Sequence, residues 1–140
     1  GLAPSSGGGT TNFLRADLTW AAPTAGSTIT ETTSNSIVIR HDNSGSSAPS
    51  ATAVSGGATT ITTNSTKILS VEFSGTSRDA GGGNGDFTIT HNTGKIGSVT
   101  VYDASRVQVA GVVWTYAANK LSGVITGLSA ATSYTYVLQF

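Results

Sequence analysis

The chain contains no cysteine and no methionine, has three prolines, and only 10% of its 140 residues are charged. Without cysteine, disulfides and thiolate metal centres are excluded, so stability rests on packing and backbone pairing. Seven Lys or Arg stand against seven Asp or Glu, a formal net charge of zero. No basic field is therefore available to hold nucleic acid or an anionic membrane surface. No apolar run approaches the roughly 18 residues that span a bilayer, and no charged-then-apolar secretion leader is present. Neither nucleic-acid binding nor membrane insertion is expected. A chain without methionine lacks the residue that starts translation, so Gly1 is expected to follow an upstream cleavage.

What the chain does contain is 37% hydrophobic residues among abundant Thr, Ser and Gly, in a length that fits one domain plus a short leader. With that apolar content the low charge does not signal disorder. Residues 1–25 read as an extended leader segment and residues 26–140 as an all-β domain. In the first segment the bulky residues Leu2, Phe13, Leu14 and Trp20 are separated by Gly, Ser, Thr and Pro. No helical or alternating period gives that segment an apolar face of its own, so these four are expected to bury themselves between chains.

From residue 26 onward, short runs of Val, Ile, Thr and Tyr alternate with Gly, Asn, Asp and Ser clusters, the pattern of half-buried strands. Strands are expected over residues 36–41, 59–63, 67–74, two within 87–103 on either side of a break at Thr93-Gly94, and over 106–109, 112–117, 120–125 and 133–140. The later ones recur about every 8 to 12 residues, as in a sandwich or barrel. Alternation turns Ile37, Ile39 and His41 to one face, Leu69, Val71 and Phe73 to another, and Phe87, Ile89, His91, Val99 and Val101 inward. Residues 42–50 and 77–86 read as loops, the second long and rich in glycine. The expected fold is an antiparallel β-sandwich-like domain behind an extended leader.

Three resemblances follow from these residues. Phe13-Leu14-Arg15 with Asp17, Thr19, Trp20 and Pro23 resembles the stretch that joins shaft to tip in bacteriophage tail fibres and related virion fibres. Where that pattern has Gly after the Asp, this chain has Leu18, which resists positive φ and implies a different bend or another apolar contact between chains. The residues around Ile89-Thr90-His91-Asn92 and Val99-Thr100-Val101-Tyr102 resemble a small β module near the C-termini of such fibres. The stretch from Ile125 through Leu128 to Tyr134 and Val137 resembles the approach to the penultimate strand of a fibronectin type III domain, with a tyrosine corner at Tyr134. That family needs one further strand, so either the sheet closes differently or a neighbouring subunit supplies the edge.

The fibre resemblance implies an intertwined homotrimer located on the virion, extracellular during attachment. Its partner would be a bacterial surface glycan or outer-membrane protein. The alternatives are a structural virion module, such as a head fibre, decoration or collar protein, and a fibronectin-like spacer of a bacterial surface protein. Catalysis is not expected, because the carboxylates are scattered singly and the two histidines form no triad signature. No cofactor is expected and no metal site either, since His41 and His91 read as ring nitrogens bonded near strand ends. Ligand contact is assigned to Trp114 and Tyr116, whose rings share a strand face, with Asp42, Asn43, Asp79 and Asn84 supplying polar groups from the loops.

Overall fold

A computed structural model describes residues 29–42, 48–63 and 66–140 in full, together with the backbone of four leader residues. Those four form a two-residue antiparallel ladder, β1 (Phe13–Leu14) with β2 (Trp20–Ala21), in which Leu14 lies opposite Trp20. Leu2, Asn43 and the side chains of Phe13, Leu14 and Trp20 lie outside the described residues. The remaining strands are β3 (Ile29–Ser34), β4 (Ile37–Asp42), β5 (Ser50–Ala51), β6 (Ala58–Thr62), β7 (Ile68–Thr76), β8 (Arg78–Gly81), β9 (Asn84–Thr90), β10 (Ser98–Tyr102), β11 (Val113–Tyr116), β12 (Ser122–Ser129) and β13 (Ser133–Gln139). The fold is all-β: two sheets packed face to face as a sandwich.

One sheet has the order β10-β13-β7-β4-β3 and is wholly antiparallel. The other runs β11-β12-β9-β6-β5, with β8 pairing the first half of β9 and β6 pairing its second half. The β6–β9 pair is parallel, the exception to the antiparallel pattern.

Taking β8, β9, β12 and β11 against β10, β13 and β7 reproduces the neighbour order of an immunoglobulin-type sandwich, four strands on three. The slot that the last strand of that fold occupies, antiparallel to β13, is filled by β7. The chain thus closes its own sheet with a strand that comes before the others. β7 passes into β8 through Ser77, so one nearly continuous run changes sheets at that residue. Buried Ser77 donates to the Ser129 carbonyl at 2.6 Å and accepts from the Thr132 N–H at 3.1 Å. Tyr134 completes the corner, its hydroxyl accepting the Ser129 N–H at 3.0 Å.

The core is the inner face of both sheets, and period-two alternation puts it there. Ile37, Ile39, Ile61, Val71, Phe87, Ile89, Val101, Ile125 and Leu138 are all essentially inaccessible. At its centre Phe73, Phe87 and Tyr136 form a cluster with ring centroids 4.5 to 5.3 Å apart. The Tyr136 hydroxyl is buried there without a partner, at a cost of about 1–3 kcal/mol. Burying such a ring gains about 1.5–3 kcal/mol, and its two neighbours add about 0.5–1.5 kcal/mol each, so packing wins. The same burial pushes the phenol well above its ordinary pKa.

Three expectations need correction. Residues 77–86 are not a long loop: β8 and β9 form a tight hairpin across Gly82 and Gly83. Alternation is hard to see there because the strand residues are themselves small and polar. Residues 106–109 are not a strand but a turn closed by one bridge, Tyr102 to Gln108, with Arg106 at φ 64°. β3 is a strand that the pattern missed, since in Ile-Thr-Glu-Thr-Thr-Ser the single large apolar residue, Ile29, is exposed.

Candidate functional site

On β7, Val71 and Phe73 point inward, which leaves Glu72 and Ser74 on the outer face. Ser74 lies opposite Thr135 of β13, and Thr135 lies opposite Tyr102 of β10, so the three side chains form a row across the sheet. Ser74 Oγ and Thr135 Oγ1 are hydrogen-bonded at 3.2 Å. Beyond Tyr102 the chain folds back because Asp103 Oδ1 accepts the N–H groups of Ser105 and Val107, at 2.9 and 3.0 Å. That turn sets Arg106 beside the row.

The result is a groove of about 410 Å³ lined by Glu72, Ser74, Tyr102, Arg106 and Thr135. A smaller hollow of about 150 Å³ shares Ser74 and Thr135 with it and extends to Asp103, Ala104, Ser133 and Tyr134. Neither Glu72 nor Arg106 is in an ion pair among the described residues. The groove therefore offers a half-buried phenol ring, an acceptor carboxylate, a guanidinium with several donors and two hydroxyls. It carries no nucleophile with an adjacent base. Such a set suits a polar ligand with an apolar flank, held by stacking and hydrogen bonds.

Of the residues singled out from sequence, those that are described do not line this groove: Trp114 and Tyr116 share one face of β11, Asp79 and Asn84 share one hairpin, and Asp42 lies apart from both. Trp114 is half-buried. Its indole N–H donates to the Ile96 carbonyl at 2.9 Å, and its ring covers Gly123 so closely that a Cβ there would come within 2.3 Å of it. Tyr116, next on that face, is 44% exposed. Asp79 and Asn84 turn back into their own hairpin, Asp79 Oδ1 accepting the Gly81 N–H at 2.8 Å and Asn84 Nδ2 donating to the Gly81 carbonyl at 3.2 Å. Tyr116 lies level with Gly123 and, across β12, with Ile89. Asn84 begins the same strand, about 17 Å away at about 3.4 Å per residue. Asp42 ends β4 in the other sheet.

The missed residues carried a partial signal. Alternation turns Glu72 outward, but it places Arg106 in a strand, and the approach of Tyr102 to Ser74 depends on a pairing between β10, β13 and β7 that no local pattern reveals.

The histidines are structural in their bonding. His41 donates from Nδ1 to the Asp42 carbonyl at 2.9 Å and meets Thr32 Oγ1 through Nε2 at 2.8 Å. His91 is fully buried, 4.8 Å from the Phe140 ring and 6.3 Å from Trp114. Its Nδ1 accepts from the Thr93 N–H at 3.3 Å and contacts Thr93 Oγ1 at 2.9 Å. The proton therefore rests on Nε2, which has no partner. Burial holds this imidazole below its ordinary pKa. Among the described residues no group of three His, Cys, Asp or Glu side chains is placed to hold a metal ion, and no helix is long and apolar enough to cross a membrane.

No family model, curated protein or solved structure matches this chain.

Proposed function

We propose that this chain is the tip domain of a homotrimeric phage fibre, and that it attaches the virion to a bacterial surface glycan through the groove of Glu72, Ser74, Tyr102, Arg106 and Thr135. The groove is the observation that carries the binding half of this reading. A pyranose stacks its C–H face on Tyr102 while Glu72, Arg106 and the two hydroxyls bond its hydroxyl groups. Weak contacts of this kind become effective when three tips, and several fibres, engage one surface. The trimeric half rests on the resemblance of the leader to fibre necks.

Two measurements test the halves separately. Sedimentation of the full chain at micromolar concentration is expected to give a trimer, and a stable monomer discards the fibre. Binding to an array of bacterial surface polysaccharides is expected to weaken about tenfold or more in Tyr102→Ala, the loss of about 1.4 kcal/mol of contact. Binding unchanged by Tyr102→Ala and Arg106→Ala discards the groove.

A second reading, a structural spacer without receptor contact, is favoured by the immunoglobulin-type strand order and the tyrosine corner. It expects no glycan to bind at all.

A further inference from the structure

At the end of the sandwich away from the tyrosine corner, a second hollow of about 170 Å³ is lined by Thr63, Thr66, Lys67, Ile68, Asn92, Thr93 and Lys95. Its chemistry differs from that of the groove. Two lysines, three threonines and an asparagine line it, and among the described residues no acidic one does.

The chain has only three lysines, Lys67, Lys95 and Lys120. The first two line this hollow, and the third lies in the turn whose next residue, Leu121, accepts the N–H groups of His91 and Asn92 at 2.9 and 3.1 Å. All three lysines thus gather at one end of a protein of zero net charge. The carboxylates of Asp79, Asp86 and Asp103 belong to the other end. Asp42 is the acidic residue tied to this one, through its N–H on the Lys67 carbonyl at 3.0 Å, and its side chain does not line the hollow. Neither Lys67 nor Lys95 forms an ion pair among the described residues.

One wall is held in place. Asn92 at φ 51° and Gly94 at φ 72° turn the chain sharply after β9, and Thr93 Oγ1 accepts the Lys95 N–H at 3.1 Å while it bonds His91. Lys95 thereby lines the same hollow as Lys67, which comes from a different part of the chain. Ammonium groups bind oxyanions through charge-assisted hydrogen bonds.

We infer that this hollow is an anion site, which takes a phosphate or carboxylate group of the kind that phosphorylated or uronic-acid-containing surface glycans carry. Lys67 and Lys95 supply the charge, and the Thr63 and Asn92 side chains supply hydrogen bonds to the anion's oxygens. The site does not depend on the groove, from which it differs in both residues and end of the sandwich.

The test is an amide-resolved NMR titration of the full chain, with inorganic phosphate in one series, glucuronate in a second and uncharged glucose as the control. Saturable shifts are expected at Lys67, Asn92, Thr93 and Lys95 with at least one of the two anions and not with glucose. Whichever anion saturates identifies the source. The midpoint is expected to rise about tenfold or more in the Lys67→Ala/Lys95→Ala variant, and to rise with added sodium chloride as screening predicts. Both lysines are exposed, so the variant keeps the core intact and its unshifted spectrum verifies that. Shifts that stay linear with both anions, that spread over the whole surface, or that keep their midpoint in the double variant overturn the inference. Tyr102 and Arg106 amides that stay still keep the result separate from the groove.

Discussion

The two ends of the sandwich solve the same problem in opposite ways. Where β12 turns into β13, the polar side chains of the corner are partnered: Ser77 ties Ser129 to Thr132, Tyr134 caps the Ser129 N–H, and Arg78 grips Asp86 with two hydrogen bonds. Where β13 ends, His91 lies between Trp114 and Phe140 with one ring nitrogen unpartnered, and lysines surround the rim. The first end is closed by hydrogen bonds, the second by rings. The difference teaches where this fold spends polar specificity: at the point where one strand changes sheets, so that a single register is possible.

The sharpest way to break the first end is Gly85→Ala. A Cβ at Gly85 would lie 2.3 Å from the Ser129 carbonyl oxygen, which is backbone and held by Ser77. Urea unfolding is expected to show a loss of about 3 kcal/mol. A loss within about 0.5 kcal/mol would mean that the corner is slack.

Next come two tyrosines that differ in one bond. Tyr134→Phe leaves the Ser129 N–H without its acceptor and is expected to cost about 1–2 kcal/mol. Tyr136→Phe removes a hydroxyl that has no partner and is expected to be neutral or stabilising by up to about 1 kcal/mol. Equal effects in the same unfolding assay would erase the contrast between the corner and the centre of the core.

The second end is read by pH. Burial holds the His91 pKa in the folded chain below its ordinary value of 6.5. Between those two values the unfolded chain binds a proton that the folded chain does not, so stability is full above about pH 6.5 and declines as pH falls through the interval. The physical cause is burial, which takes the imidazole out of water and so disfavours its charged form. Unfolding midpoints measured from pH 8 to pH 5 are expected to show this slope, and His91→Gln is expected to remove it. A slope that survives the substitution places the titrating group elsewhere.

The smallest effect belongs to the ion pair at the first end. The Arg78 side chain is 60% exposed, and water screens such a pair. The guanidinium still holds the Asp86 carboxyl below its ordinary pKa. The pair's contribution is therefore present above the ordinary carboxylate range and is lost as pH falls through the folded-state value. Asp86→Asn is expected to flatten the acid limb of the stability profile below the His91 interval, with little change at neutral pH.

Much of the sandwich was legible from residue alternation. Ile37, Ile39, Val71, Phe73, Phe87, Ile89 and Val101 were turned inward by period two alone and are buried. Tyr134 as a corner residue was what the fibronectin type III resemblance implied, and its hydroxyl does accept the Ser129 N–H. β8 and β3 were not legible, because small polar strands resemble loops until a neighbour pairs with them. The candidate groove was legible only in part, since Glu72 faced outward by pattern while Tyr102 and Arg106 meet it through pairing and a turn.

By itself the sequence determined the fold class, the inward faces of most strands, and the reliance on packing that follows from having no cysteine. All of these are consequences of local period and composition. Only the tertiary structure decided that β7 fills the slot beside β13, that Tyr102, Glu72 and Arg106 share a groove, and that two lysines from separate segments line one hollow. These are contacts between residues far apart in the chain, and alternation says which face a side chain takes but not which strand lies next to it.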